Sequence, residues 1–244
     1  MRAPPVVLTL ATAVALVVLI SLGGWQLYRM GWKQDVLARV AALRAAPARP
    51  IDEVLGIGGQ VGDVEYRRAA VSCEPSANRR HDAYRYAVPD GQVGWRLVSA
   101  CHLQAGRFDG ILLDRGVVIR FTGAMAPMSA SFPDPGVAIG VLRRPGGKPW
   151  LGPAETSPVP GARVFRVLDT AALNGIAADN GLRRPAPYLL AVESEIPGLP
   201  GVVPAALPQD IPNNHLVYAL TWFALAAVMV SFYGAMLFRR RTGP

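Results

Sequence analysis

The chain has 244 residues, 51% of them hydrophobic, and a formal net charge of +8. A basic excess points first to nucleic acid, yet Arg2, Arg29, Arg239, Arg240 and Arg241 flank apolar segments, and the other 20 of the 25 basic side chains stand against 17 acidic ones. No Lys/Arg run with interleaved aromatics appears, so the footprint of a nucleic-acid binder is missing and a membrane is the partner that the charge suits.

From Pro4 to Tyr28 there is no charged residue. The apolar run Val6 to Leu22 exceeds the core of a signal peptide, and no convincing small-residue cleavage site follows it. It reads as a retained transmembrane anchor over residues 1–29. Arg29, Lys33, Arg39 and Arg44 trail the anchor and, taken alone, favour an outward N-terminus. Beyond it, Trp25, Arg29, Trp32 and Lys33 recur at i, i+4, i+7 and i+8 and share one helical face. That face suits an aromatic belt with snorkelling cations, or a docking surface for another membrane protein. The helical pattern continues through Val36, Leu37, Val40 and Leu43, and Pro47 and Pro50 end it.

Residues 30–212 read as a β-rich domain. Strands are expected at Val64 to Cys73, Ala83 to Val88, Trp95 to Leu103, Ile111 to Phe121, Val137 to Arg143, Arg163 to Leu168 and Tyr188 to Val192. Turn residues separate them, and 123–136, 145–162 and 194–212 are Pro- and Gly-rich loops. One short helix starts at Asp169, its candidate N-cap. Gly116 interrupts an apolar strand, which signals a bulge or a close backbone approach. Asp114 and Arg115 beside it either pair within the chain or face water. The expected fold class is an α+β membrane protein, two transmembrane helices flanking an antiparallel sheet or barrel-like domain.

Cys73 and Cys101 are the only cysteines. They form a disulfide or stay as two thiols; a bridge closing a loop of that length stabilises by about 3–4 kcal/mol in the chain-entropy model. Cys73, His81, Cys101 and His102 are soft ligands without metal-site spacing, so no metal site is expected. Met125 and Met128 stand in a Pro/Ser-rich stretch and make a poor copper pair. No nucleophile elbow, zinc-protease helix, phosphate loop or dinucleotide fingerprint occurs, and an enzyme is not expected.

Leu216 to Phe238 again carries no charge, and Arg239-Arg240-Arg241 follow. Such a segment makes a helix of roughly 34 Å, enough for a hydrocarbon core of about 30 Å. The arginine cluster puts the C-terminus in the cytoplasm. With two spans the N-terminus shares that side and the central domain is translocated. His215 opens this segment, residues 213–244, with Tyr218 and Trp222 on its face at i+3 and i+7. A histidine there hydrogen-bonds backbone or interfacial water, or it ligates haem iron or touches a partner.

Leu22-Gly23-Gly24-Trp25-Gln26-Leu27-Tyr28-Arg29 with Trp32-Lys33 resembles the first-helix exit of the surfeit-locus family of cytochrome c oxidase assembly factors. Asn213-Asn214-His215-Leu216-Val217-Tyr218-Ala219-Leu220-Thr221-Trp222-Phe223 resembles its second-helix signature, and Ile111-Leu112-Leu113-Asp114-Arg115-Gly116-Val117 is similar to its central strand. Val117 stands where the family usually has an aromatic, and the proline often found after that motif is absent. The resemblance covers nearly the whole chain. It implies a factor of the bacterial or mitochondrial inner membrane that helps assemble a haem–copper oxidase, with the oxidase catalytic subunit and other assembly factors as partners; the short loops and the lack of a long N-terminal presequence favour a bacterial protein and its inner membrane. It also implies transient haem a as cofactor, His215 as candidate ligand beside Tyr218 and Trp222, and Trp25, Arg29, Trp32 and Lys33 as a docking face. Two other readings stay open: a structural subunit that never touches haem, and a copper-delivery protein, which the scattered Cys, His and Met disfavour.

Overall fold

The computed structural model describes residues 5–56, 63–75, 82–88, 94–104, 106–119, 132–147, 155, 163–204 and 213–242. The chain divides into two compact units, residues 1–41 with 210–244, and residues 42–209.

The first unit is a pair of helices. Helix α1 runs from Val6 to Ala45, past the expected anchor end at 29 and as far as the periodic apolar residues last. The C-terminal helix, His215–Thr242, is built from the uncharged run and the arginines behind it. Both are long and apolar enough to cross a membrane.

Among its described residues the second unit is a nine-stranded sheet with two short helices. In chain order its elements are β1 (Arg49–Pro50), α2 (Ile51–Gly56), β2 (Arg68–Ser72), β3 (Ala83–Ala87), β4 (Gly94–His102), β5 (Gly110–Val118), β6 (Val137–Arg143), β7 (Arg163–Phe165), α3 (Thr170–Asp179), β8 (Pro185–Ile196) and β9 (Val202–Val203); the C-terminal helix is therefore α4. The strand order is β1-β2-β6-β8-β5-β4-β3-β7, an open path, with β9 added beside β5. The α+β class is as expected, but the sheet is mixed rather than antiparallel throughout. Pairs β1–β2, β3–β7 and β5–β8 run parallel. Hairpins make only antiparallel neighbours. Here helix α3 carries the chain between β7 and β8, and β8 enters beside β5 in the same direction.

β5 is central and buried along almost its whole length. Its apolar run Ile111-Leu112-Leu113 follows from having both faces covered. Ile111 and Leu113 join Ile51, Val54 and Leu55 of α2 on one face. Leu112 joins Leu173, Ile176 and Ala177 of α3 on the other. A third cluster, around Tyr84, Trp95, Leu97, Val118 and Val202, fills the end where β9 pairs.

α3 has the expected cap. Asp169 Oδ1 accepts from the Ala172 N–H at 2.8 Å. Its far end closes on Gly181 at φ +78°, with the Gly181 N–H donating to Ala178 O and the Leu182 N–H to Ala177 O. Those two bonds satisfy carbonyls that a helix end otherwise leaves open. β8 is longer than the expected Tyr188 to Val192, because its flanks carry Pro185, Pro187, Glu193 and Glu195 and lack the apolar signal. β1, α2 and β9 are too short for a periodic pattern to announce.

Candidate functional site

The two long helices meet along a seam that repeats every 3.5 residues. On α1 the less exposed positions include Thr9, Thr12, Leu16, Leu19, Gly23, Gln26 and Met30; on α4 they include His215, Ala219, Trp222, Ala226, Met229, Tyr233 and Met236. Alternating steps of four and three are the spacing of knobs-into-holes packing. The contacts run antiparallel: Thr9 Oγ1 shares a short hydrogen bond with the Tyr233 hydroxyl, Gly23 lies on the Phe223 ring, and Gln26 meets His215. A Cβ at Gly23 would sit 2.5 Å from Phe223 Cε1, so glycine admits the close approach. Ala219 and Ala226, both buried, narrow the α4 side.

His215 is held at the first turn of α4. Its Nδ1 lies 2.7 Å from Gln26 Oε1. A carbonyl oxygen has no hydrogen, so Nδ1 donates and the neutral ring keeps its lone pair on Nε2. Two residues before, Asn213 Nδ2 donates to Met30 O at 3.4 Å and ties the approach to α4 onto α1. The half-buried ring therefore offers an imidazole nitrogen of the kind that ligates haem iron. Trp222 lies on the seam with His215, whereas Tyr218 is 56% exposed and lies off it.

Trp25 and Trp32 of α1 are exposed, and Arg29 stacks its guanidinium 4.0 Å from the Trp32 ring centroid. Lys33 is half-buried. Of these four residues, Arg29 and Trp32 form a cation–π pair. Sequence reasoning missed Gln26 as the partner of His215. The signal was present, since Gln26 lies three residues after Gly23 on the seam face.

Among its described residues the sheet domain buries two charged residues, Asp114 and Arg115. Residue Arg115 is a bulge: Val98 pairs Asp114 and Leu97 pairs Gly116. Gly116 has φ +125°, and a Cβ there would lie 2.1 Å from Val203 O, so the glycine serves both the bulge and the approach of β9. Arg115, only 1% exposed, donates to Glu195 at 3.0 and 3.1 Å and to Pro133 O at 2.9 Å. Asp114 accepts from Arg96 at 2.8 Å and from Arg85 at 3.2 Å. Burial pulls the Arg85 guanidinium below its ordinary range, and the Asp114 carboxylate opposes that pull. Asp114 and Arg115 thus pair within the chain rather than face water.

Cys73 and Cys101 are joined by a disulfide, with Cα atoms 5.0 Å apart. Among the described residues no group of His, Cys, Asp and Glu is arranged to hold a metal. His81, Met125 and Met128 lie outside the described residues.

A family profile, that of the SURF1 family, matches residues 13–227, which takes in Gln26, His215 and the whole sheet domain. The chain belongs to the SURF1 family. A comparison with curated proteins finds no match. SURF1-family membership assigns the chain to cytochrome c oxidase assembly, and with the two candidate spanning helices it makes the chain a membrane protein of that process.

Proposed function

We propose that this SURF1-family chain acts without catalysing a reaction. It holds or presents haem a for the oxidase catalytic subunit, or stabilises that subunit while haem enters. The observation that carries the reading is His215, half-buried on the seam that Trp222 shares, with Nδ1 engaged by Gln26 and Nε2 left as a lone-pair donor. When bound, haem iron would supply the acceptor for that lone pair. Tyr218 and Trp222 flank the ring as an aromatic wall for a porphyrin. Trp25, Arg29, Trp32 and Lys33 form the docking face toward the oxidase or its other assembly factors.

In this reading the chain sits in a bacterial inner membrane with both termini cytoplasmic and residues 30–212 in the periplasm. Arg239, Arg240 and Arg241 support that orientation. The Cys73–Cys101 bond supports an oxidising compartment for the sheet domain.

One observation favours a second reading, a structural subunit without haem contact: the Gln26 bond gives His215 an interhelical role that needs no ligand. Expression in cells making haem a, purification in detergent, the visible spectrum and a pyridine haemochrome separate the two. Haem that is lost in His215→Ala, together with failed oxidase assembly, is the expected result. A haem-free wild type, with His215→Ala assembling oxidase normally, refutes the haem site. Stable co-purification with mature oxidase favours the structural subunit.

A further inference from the structure

We propose that Gln26 is a positioning residue for His215, one that sets the imidazole tautomer and aims Nε2 as the ligand nitrogen. The inference rests on the haem reading of His215 and deepens it. Gln26 stands on α1, a different helix from the histidine, and meets it at 2.7 Å across the seam. An iron-ligating histidine commonly gives its other ring N–H to an acceptor that fixes the ring and raises its basicity. The geometry here already meets that need before any ligand arrives. The ring cannot turn freely, because Nδ1 is tied to α1 and the approach to α4 is tied there too through Asn213 and Met30 O. Without an acceptor at residue 26, nothing would favour the tautomer that leaves Nε2 unprotonated, and both ring nitrogens would compete for the proton.

A simple clamp between helices makes a different prediction. It would be indifferent to the tautomer, and its loss would resemble loss of a second interhelical hydrogen bond, Thr9 to Tyr233. Thr9→Val therefore serves as the control, since it breaks a seam bond far from His215. Gln26→Leu removes the acceptor. Gln26→Glu keeps an acceptor of similar reach.

The test uses full-length protein in detergent and has two readouts. With nitrogen-labelled histidine, magnetic resonance of the haem-free protein shows which ring nitrogen of His215 carries the proton, assigned by loss of the signal in His215→Ala. Wild type is expected in the Nδ1–H form, and Gln26→Leu is expected to move toward the Nε2–H form. Titration with haem a is expected to show affinity about 10–100-fold weaker in Gln26→Leu, recovery in Gln26→Glu and no change in Thr9→Val. The iron–imidazole stretching frequency of the ferrous complex should fall in Gln26→Leu. Haem a affinity within about twofold of wild type in Gln26→Leu, or an equal loss in Thr9→Val, overturns the inference and leaves Gln26 a helix clamp. A wild-type protein that takes up no haem a defeats the haem reading and, with it, the role of Gln26 toward iron. The tautomer measurement, which needs no haem, tells that failure from the first.

Discussion

Replacing Arg115 by Met tests whether the central bulge is held by a buried charge pair. Arg115 and Glu195 have side chains only 1% and 3% exposed, so neither charge is solvated by water. The guanidinium makes two bonds to the carboxylate and a third to Pro133 O. Arg115→Met leaves Glu195 buried without its partner, which costs about 3–5 kcal/mol. Glu195→Leu strands the guanidinium and costs a similar amount. The double substitution removes both charges and fills the space with apolar atoms, so it should cost far less than the two singles together. For a domain of this size, a loss of about 3–5 kcal/mol lowers Tm by roughly 6–20 °C. The assay is thermal unfolding of full-length protein in mild detergent, followed by near-ultraviolet circular dichroism. Singles that cost under about 1 kcal/mol, or a double that equals their sum, would refute the reasoning, because coupling between the two sites is its core.

Other expectations follow from single features. Joint replacement of Cys73 and Cys101 by alanine should destabilise the sheet domain by about 3–4 kcal/mol, read from denaturant midpoints with and without reductant. Gly23→Leu should part the helices at Phe223, seen as loss of a cross-link between cysteines placed at Leu16 and Ala226, seam positions one heptad along each helix from the Thr9–Tyr233 contact. Burial, reinforced by Asp82, raises the Tyr84 hydroxyl above its ordinary value of 10.0. The folded state then holds that proton more tightly than the unfolded state. Stability should be level below pH 10 and fall as pH rises beyond it. Tyr84→Phe should flatten that alkaline limb, and an unchanged limb would show that another group causes it. Gly116→Ala should expel β9 from β5, detected as faster amide exchange at Val117 and Val118.

Much of the architecture was legible because it rests on pattern. The two long helices are uncharged runs with basic ends. β6 falls on Val137 to Arg143 as expected, because alternation and flanking turns bound it. Asp169 stood in the capping position that short polar side chains favour. What could not be read depends on partners distant in sequence. β5 and β8 lie side by side only after a helix crossover. Asp114 and Arg115 gave no sign of burial, since a charged dipeptide inside a strand reads equally well as a solvated turn. At the seam, His215 stood out as an ionisable residue near an apolar helix, whereas Gln26 was hidden among aromatics that draw more notice. Its role appears only when the other helix supplies the imidazole.

The Thr9–Tyr233 and Gln26–His215 hydrogen bonds have a consequence for how the membrane pair finds its register. Thr9 and Gln26 are separated along α1 by almost the same span as Tyr233 and His215 along α4, about 26 Å at 1.5 Å per residue. That span is close to the hydrocarbon thickness of about 30 Å, so the bonds act as a caliper with one jaw near each face of the bilayer. A slip of one turn would open both jaws together and part four polar side chains from their partners on the other helix. Sliding one helix along the other is thus opposed at two points at once, and the imidazole is delivered to the same depth in every copy.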